Sequence, residues 1–203
     1  MSASSLHPTK RMLLQTVVKL LDSKEPSDIT SEEILSISGI SKGSMYYHYK
    51  DFSEIIEDAI CERFGWYVDR SVDLCEAALN SAKSREDLIA TLKQVTRATQ
   101  RGDEEDVRYA RVRAIAMASG NERMRKKLGE VQERLTEALE DLFRETKECG
   151  WVSADIEPRA AAVLVQAYTF GNVVDDFTPE HMDRESWFSL IDAVVEKVLF
   201  ASK

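Results

Sequence analysis

Apolar residues recur at intervals of three and four through most of the chain, the spacing of helices that bury one face. Leu13, Leu14, Val17, Leu20 and Leu21 form the first such face and predict a helix that follows Pro8 and Thr9 and runs to about Ser23. Lys24-Glu25-Pro26-Ser27-Asp28 reads as a loop. Two short helices follow. Ser31 with Glu32 and Glu33 reads as the hydroxyl cap and acidic first turn of one, carrying Ile34, Ile37 and Ile40; Gly39 permits the turn, and Ser41 caps the next. Asp51, with Glu54 three residues on, caps a fourth helix from Phe52 to about Asn80. Ile55, Ile56, Ala59, Ile60 and Phe64 form its inner face, and Gly65 is a candidate kink.

Five more helices complete the pattern. Ser84 to about Arg101 carries Leu88, Leu92 and Val95, and Gly102-Asp103 breaks it. Glu104 to Ser119 carries Val107, Ala110, Ala114 and Met117 and stops at Gly120. Asn121 to Cys149 carries Met124, Leu128, Val131, Leu135, Ala138 and Leu142, a seam better read as intramolecular core than as a free coiled coil. Pro158 opens a helix to about Phe177, with Ala161, Leu164, Val165, Tyr168 and Gly171 along one side. The last starts at Asp183 or Arg184, reaches Ala201, and carries Trp187, Leu190, Ile191, Val194, Val195 and Val198.

The informative chemistry lies between Ser31 and Ile56. Met45 and Tyr49 are four apart and turn inward, which leaves Lys42, Ser44, Tyr47 and His48 facing out. Hydroxyls, a cation, an imidazole and phenols on a short second helix form a kit for reading the DNA major groove.

Gly39-Ile40-Ser41-Lys42-Gly43-Ser44-Met45-Tyr46-Tyr47-His48-Tyr49-Lys50 resembles the DNA-binding signature of the TetR family of transcriptional regulators. Arg11 to Leu21 resembles that family's first helix, and Ile29-Thr30 its lead-in. Two positions depart from the pattern: Leu35 stands where the family usually has Ala, and Phe52 where it often has a phosphate-binding Lys. The resemblance implies an all-α fold of about nine helices. Residues 1–52 would form a helix-turn-helix head, and residues 53–203 a body for ligand binding and dimerisation.

In that frame Lys42, Ser44 and Tyr47 approach base edges or their flanking backbone, Thr30, Ser31, Tyr46, His48 and Lys50 mainly grip phosphates, and Gly43 keeps the approach open. The resemblance also implies an effector cavity, for which Trp66, Tyr67, Val95, Tyr109, Arg113, Met117, Trp151 and Tyr168 are candidate walls. It implies a four-helix dimer interface built on Leu164, Tyr168, Gly171, Trp187, Leu190, Val194 and Val198.

Composition bounds this reading. The 203 residues carry a net charge of −9, which argues against nucleic acid until the chain is divided. Residues 1–52 hold six Lys/Arg and six Asp/Glu, so the whole excess of acid belongs to the remainder. DNA affinity depends on the local field at the docking face, and a neutral head relies on hydroxyls, backbone amides and a dimer more than on cations. No apolar run approaches the roughly 18–20 residues needed to span a bilayer, and Met1 to Pro8 lacks the features of a secretion signal, so a cytoplasmic protein is expected. Cys61 and Cys75 fall about 21 Å apart on one helix, too far to bridge, and Cys149 completes an odd set without metal spacing. No nucleotide loop, metalloprotease motif or nucleophile elbow occurs, and no cofactor or metal is expected. Acid runs such as Asp103-Glu104-Glu105-Asp106, and Lys126-Lys127, read as solvated faces.

The expected function is a homodimeric, effector-released repressor acting on a pseudo-palindromic operator. Two alternatives stay open: an architectural or cell-cycle DNA-binding protein of the same fold without an effector, and a ligand-binding or enzymatic bundle whose head no longer binds DNA.

Overall fold

The computed structural model describes residues 6–100 and 105–201, in which every regular element is helical. The helices are α1 (Pro8–Leu20), α2 (Ser31–Ser38), α3 (Lys42–His48), α4 (Phe52–Ser81), α5 (Arg85–Thr99), α6 (Glu105–Ser119), α7 (Glu122–Glu148), α8 (Pro158–Gly171) and α9 (Arg184–Val194). A 3-10 turn, Pro26–Asp28, joins α1 to α2. A single turn, Val173–Asp176, follows α8, and a π turn, Val195–Leu199, closes α9. The expected break at Gly102-Asp103, with the helix ends at Arg101 and Glu104, lies outside the described residues, as do Met1 to Ser5 of the N-terminal arm.

Side-chain caps set most starts. The α2 cap is Thr30 rather than Ser31: its Oγ1 accepts the Glu33 N–H at 3.3 Å, and Ser31 is the first helical residue. Gly39 ends α2 at φ +68°, a left-handed conformation that costs glycine nothing. Ser41 then caps α3 through the Ser44 N–H at 3.2 Å. Asp51 caps α4 through the Glu54 N–H at 2.9 Å, while Glu54 Oε2 accepts the Lys50 N–H at 2.8 Å. This reciprocal pair fixes the corner between α3 and α4.

One continuous core runs through the molecule. In the head, Leu13, Val17, Ile34, Met45, Tyr49 and Ile55 are fully buried, so α1, α2, α3 and the start of α4 close on one another. Ile37, expected in this set, lies exposed, because α2 is too short to bury more than one face turn. α4 carries no break at Gly65 and runs unbroken as a 30-residue spine from head to body. α7 packs along α4 and α8. Its buried seam is Met124, Leu128, Leu135, Leu139, Leu142 and Phe143, shifted by one residue from the expected Ala138.

α8 stops at Gly171 rather than Phe177, and buried Asn172, whose backbone stays in the right-handed helical region, separates it from the following turn. The turn after it is fastened to α6 by Arg108 and Asp176. α9 is bound to α5 by the two-pronged pair of Arg97 with Asp192 (3.0 and 2.8 Å) and by the Trp187 Nε1–H donating to Gln100 Oε1 at 2.8 Å.

Candidate nucleic-acid interface

α3 is held from behind and open in front. Met45 and Tyr49 are sunk in the head core, with the Lys10 ammonium 4.6 Å above the Tyr49 ring. Burial, reinforced by Asp58 and Glu54, pushes the Tyr49 phenol far above its ordinary value and keeps it neutral. On the other side Tyr47 is 84% exposed, Tyr46 is half exposed, and Lys42 and Gly43 lie free at the surface. Nothing lies within 4 Å of a Cβ added at Gly43, so packing within the chain does not demand a glycine there.

His48 is held between His7, stacked at 4.6 Å, and the edge of Tyr47 at 5.1 Å. Thr30 and Lys50 are both exposed; Ser31 and Ser44 are half-buried. None of the nine expected DNA-contact residues is buried, although the Thr30 hydroxyl and the Lys50 N–H are already engaged in caps. Phe52 is half-buried and packs against the core.

The eight candidate cavity residues do not gather. Tyr67, Tyr109 and Arg113 line a cavity of about 580 Å³ between the head loop Leu21–Asp28, α4 and α6. Tyr67 and Val95 also line a cavity of about 100 Å³ inside the body, with Arg70, Ser71, Thr99 and Gln166. Trp66 points outward on α4 and Met117 lies at the surface of α6. Trp151 and Tyr168 pack against the core and line neither space.

Helical spacing alone could not separate these cases, since it does not say which neighbour covers a face. Sequence reasoning missed Arg63 and Arg111. Arg63 reaches the Leu21 carbonyl, Asp22 (3.5 Å) and the Tyr67 hydroxyl (3.3 Å). Arg111 lies over the Phe170 ring at 4.1 Å. The four-residue step from Arg63 to Tyr67 was the available signal. Glu25 of the head loop pairs with Arg113, and both line the cavity of about 580 Å³.

Helix order, the exposed α3 and the long α4 can be compared with solved structures. GusR of Salmonella enterica superposes with a TM-score of 0.68 at 20% identity, over 95% of each chain. A TetR-family transcriptional regulator of Cytophaga hutchinsonii superposes at 0.68 and 12% identity, covering 98% of this chain and 100% of that one. The chain has the TetR-family fold. The reduced form of NemR from E. coli shares it at 0.66 and 16% identity, over 96% of this chain and 100% of the other. No protein-family model and no curated protein matches the sequence.

Within this TetR fold, α8 and α9 leave apolar side chains in solvent. Val163, Leu164 and Leu190 are exposed, as are Val198 in the π turn and Gly171. Of the expected interface residues, Val194 is half-buried, whereas Tyr168 and Trp187 face inward, toward Thr96 and Gln100 respectively.

The three cysteines are unpaired. Burial pushes the Cys61 and Cys75 thiols up to about 11, with the opposing Lys127 charge the next influence on Cys61. No helix among the described residues is long and apolar enough to cross a membrane.

Proposed function

We propose that this chain is a homodimeric transcriptional regulator of the bacterial cytoplasm, a repressor that binds a pseudo-palindromic operator and leaves it when a small molecule binds. The observation that carries the reading is α3. Its inner residues, Met45 and Tyr49, are locked in the core while Lys42, Tyr46 and Tyr47 stand in solvent. Such a helix is fixed enough to read a groove and has nothing else to pack against. Lys42, Ser44 and Tyr47 would meet base edges; Thr30, Ser31, Tyr46, His48 and Lys50 would grip the backbone, with Gly43 leaving room for it. The exposed side of α8 and α9, with Leu164, Gly171, Leu190 and Val198, supports a two-fold interface.

The effector is assigned to the cavity between head and body. Its volume, about 580 Å³, lies in the range of ligand sites, and one wall is the head loop itself, so an occupant would sense how head and body meet. The body's inner cavity, about 100 Å³, is too small for an ordinary metabolite, which favours the effector-free architectural protein as the second reading. The deciding experiment is a footprint on DNA flanking the chain's own gene, followed by gel shifts with and without cell-extract metabolites. A palindromic footprint lost on adding metabolites supports the repressor. A footprint that no metabolite alters favours the second reading, and no footprint at all overturns both.

A further inference from the structure

α7 begins beside the head. Arg123, in its first turn, sets its guanidinium among three carboxylates of α4: Glu54 at 3.5 Å, and Glu57 and Asp58 in closer contact. Its Nη2 also donates to the Glu54 carbonyl at 3.4 Å. One turn later Lys127 pairs with Asp58, which is 8% exposed. Three acids thus meet two cations across the α4–α7 contact, and Lys127 belongs to this cluster rather than to a solvated face. Burial opposes the Arg123 charge, but the hydrogen bonds it donates to Glu57 and Asp58 outweigh this and raise the group's hold on its proton.

Glu54 gives the cluster a further reach. Its Oε2 holds the Lys50 N–H while its Oε1 faces Arg123. Lys50 stands two residues beyond the end of α3. One carboxylate therefore joins the body's α7 to the corner that sets the direction of α3.

We propose that Arg123 is a positioning residue for DNA binding, a body side chain that acts through Glu54 to fix the angle at which α3 is presented. The inference rests on reading α3 as the recognition helix. It gives the molecule a line between body and head besides the backbone of α4 and the Glu25–Arg113 pair. Leu128, Gly129 and Gln132 of α7 line an apolar groove of about 600 Å³, so a movement of α7 at that groove carries Arg123 with it.

The test uses the full-length dimer and its own operator. Arg123→Ala, Arg123→Lys, Glu54→Gln and the Arg123→Ala/Glu54→Gln double variant are compared by fluorescence anisotropy and by hydrogen exchange of the segment 46–55. Arg123→Ala is expected to weaken operator binding by about 5- to 150-fold, the usual span of coupling between sites. It should also speed exchange in that segment with the dimer intact, and Arg123→Lys should recover most of both. The double variant should bind no worse than the weaker single one, because both remove the same link. Operator affinity within twofold of the parent, or losses that add independently, overturns the proposal. If Arg123→Ala fails to fold, Glu54→Gln alone decides by the same two readouts. If the parent binds no DNA, the recognition-helix reading fails first, a result distinct from parent binding that survives Arg123→Ala.

Discussion

Arg108 of α6 and Asp176 of the turn after α8 form a two-pronged ion pair, with Nε to Oδ2 at 2.8 Å and Nη2 to Oδ1 at 2.6 Å. Their side chains are 8% and 4% exposed. A pair this deep has given up its water, so its value shows when one partner is lost and the other stays buried and charged. Asp176→Ala is expected to lower stability by about 3–5 kcal/mol. Asp176→Asn, which keeps the shape and one acceptor, should cost less. Urea unfolding of the two variants checks the order, and equal losses would show that the charge, which both variants remove, dominates over packing.

The dimer prediction uses side chains that do nothing within one protomer. Leu164 and Leu190 are 42% and 58% exposed, and a Cβ at Gly171 would meet nothing within 4 Å. Leu164→Glu, Leu190→Glu and Gly171→Trp should leave the protomer's stability within about 0.5 kcal/mol, as substitutions at open surface do. Each should nevertheless yield monomers in sedimentation and lose the palindromic footprint, because a two-fold protein mirrors its site. Stable dimers in all three variants would move the interface elsewhere.

On DNA, base and backbone contacts should separate. Tyr47→Ala removes the most exposed ring of α3 and should cost about 1–3 kcal/mol at one base position, relaxing specificity there. Lys42→Ala is expected to lower the slope of log K against log salt by about one if Lys42 lies on a phosphate, and to leave it unchanged if it lies on a base edge. Phe52→Lys would pull a half-buried ring off the core, so any gain in phosphate affinity should come with lower thermal stability.

Much of the head was legible because its constraints are local. Caps such as Ser41 and Asp51, the left-handed Gly39 and the Met45/Tyr49 pair are each decided within four residues, and the structure bears them out. Thr30 displaced Ser31 as a cap because neighbouring hydroxyls offer the same chemistry, and only the backbone angle decides between them. The cavity was poorly legible because it depends on which helix faces which. Trp66 and Tyr67 are adjacent in sequence, yet one lies in solvent and the other between two cavities. The Arg123 cluster was hidden for the same reason: Glu54, Glu57 and Asp58 lie more than sixty residues from their cations.

Alkali should expose the buried thiols. Cys61 and Cys75 rise from an ordinary 9.0 to about 11 because burial disfavours the thiolate. The folded chain then keeps two protons that the unfolded chain sheds. Their stabilisation is complete below about pH 9 and is lost as pH climbs through about 11, at roughly 2–3 kcal/mol per thiol. Cys75→Ala should flatten the fall of unfolding free energy between pH 9 and 11, measured by urea titration at each pH. At neutral pH a thiol reagent should modify exposed Cys149 quickly and the other two only on unfolding.

The effector prediction turns on Ala110, which lines the head–body cavity beside Tyr109 and Arg111. Ala110→Trp fills part of that space from a half-buried position and leaves α3 untouched. Ala114 is unsuited to this purpose because it is fully buried in the core, and Met117 because it faces solvent. With a metabolite fraction that releases the parent from its operator, Ala110→Trp should keep operator affinity and lose the response. Reciprocity gives a second measurement. If the effector weakens operator binding by some factor, the operator must weaken effector binding by the same factor, about 5- to 150-fold for a coupling of roughly 1–3 kcal/mol. Glu25→Gln, which releases the head loop from Arg113, should mimic part of the effector's action by lowering operator affinity without any ligand. An Ala110→Trp variant that responds as the parent does would place the effector in another cavity. The apolar groove lined by Phe64, Ile115 and Phe170 would then be the next to fill.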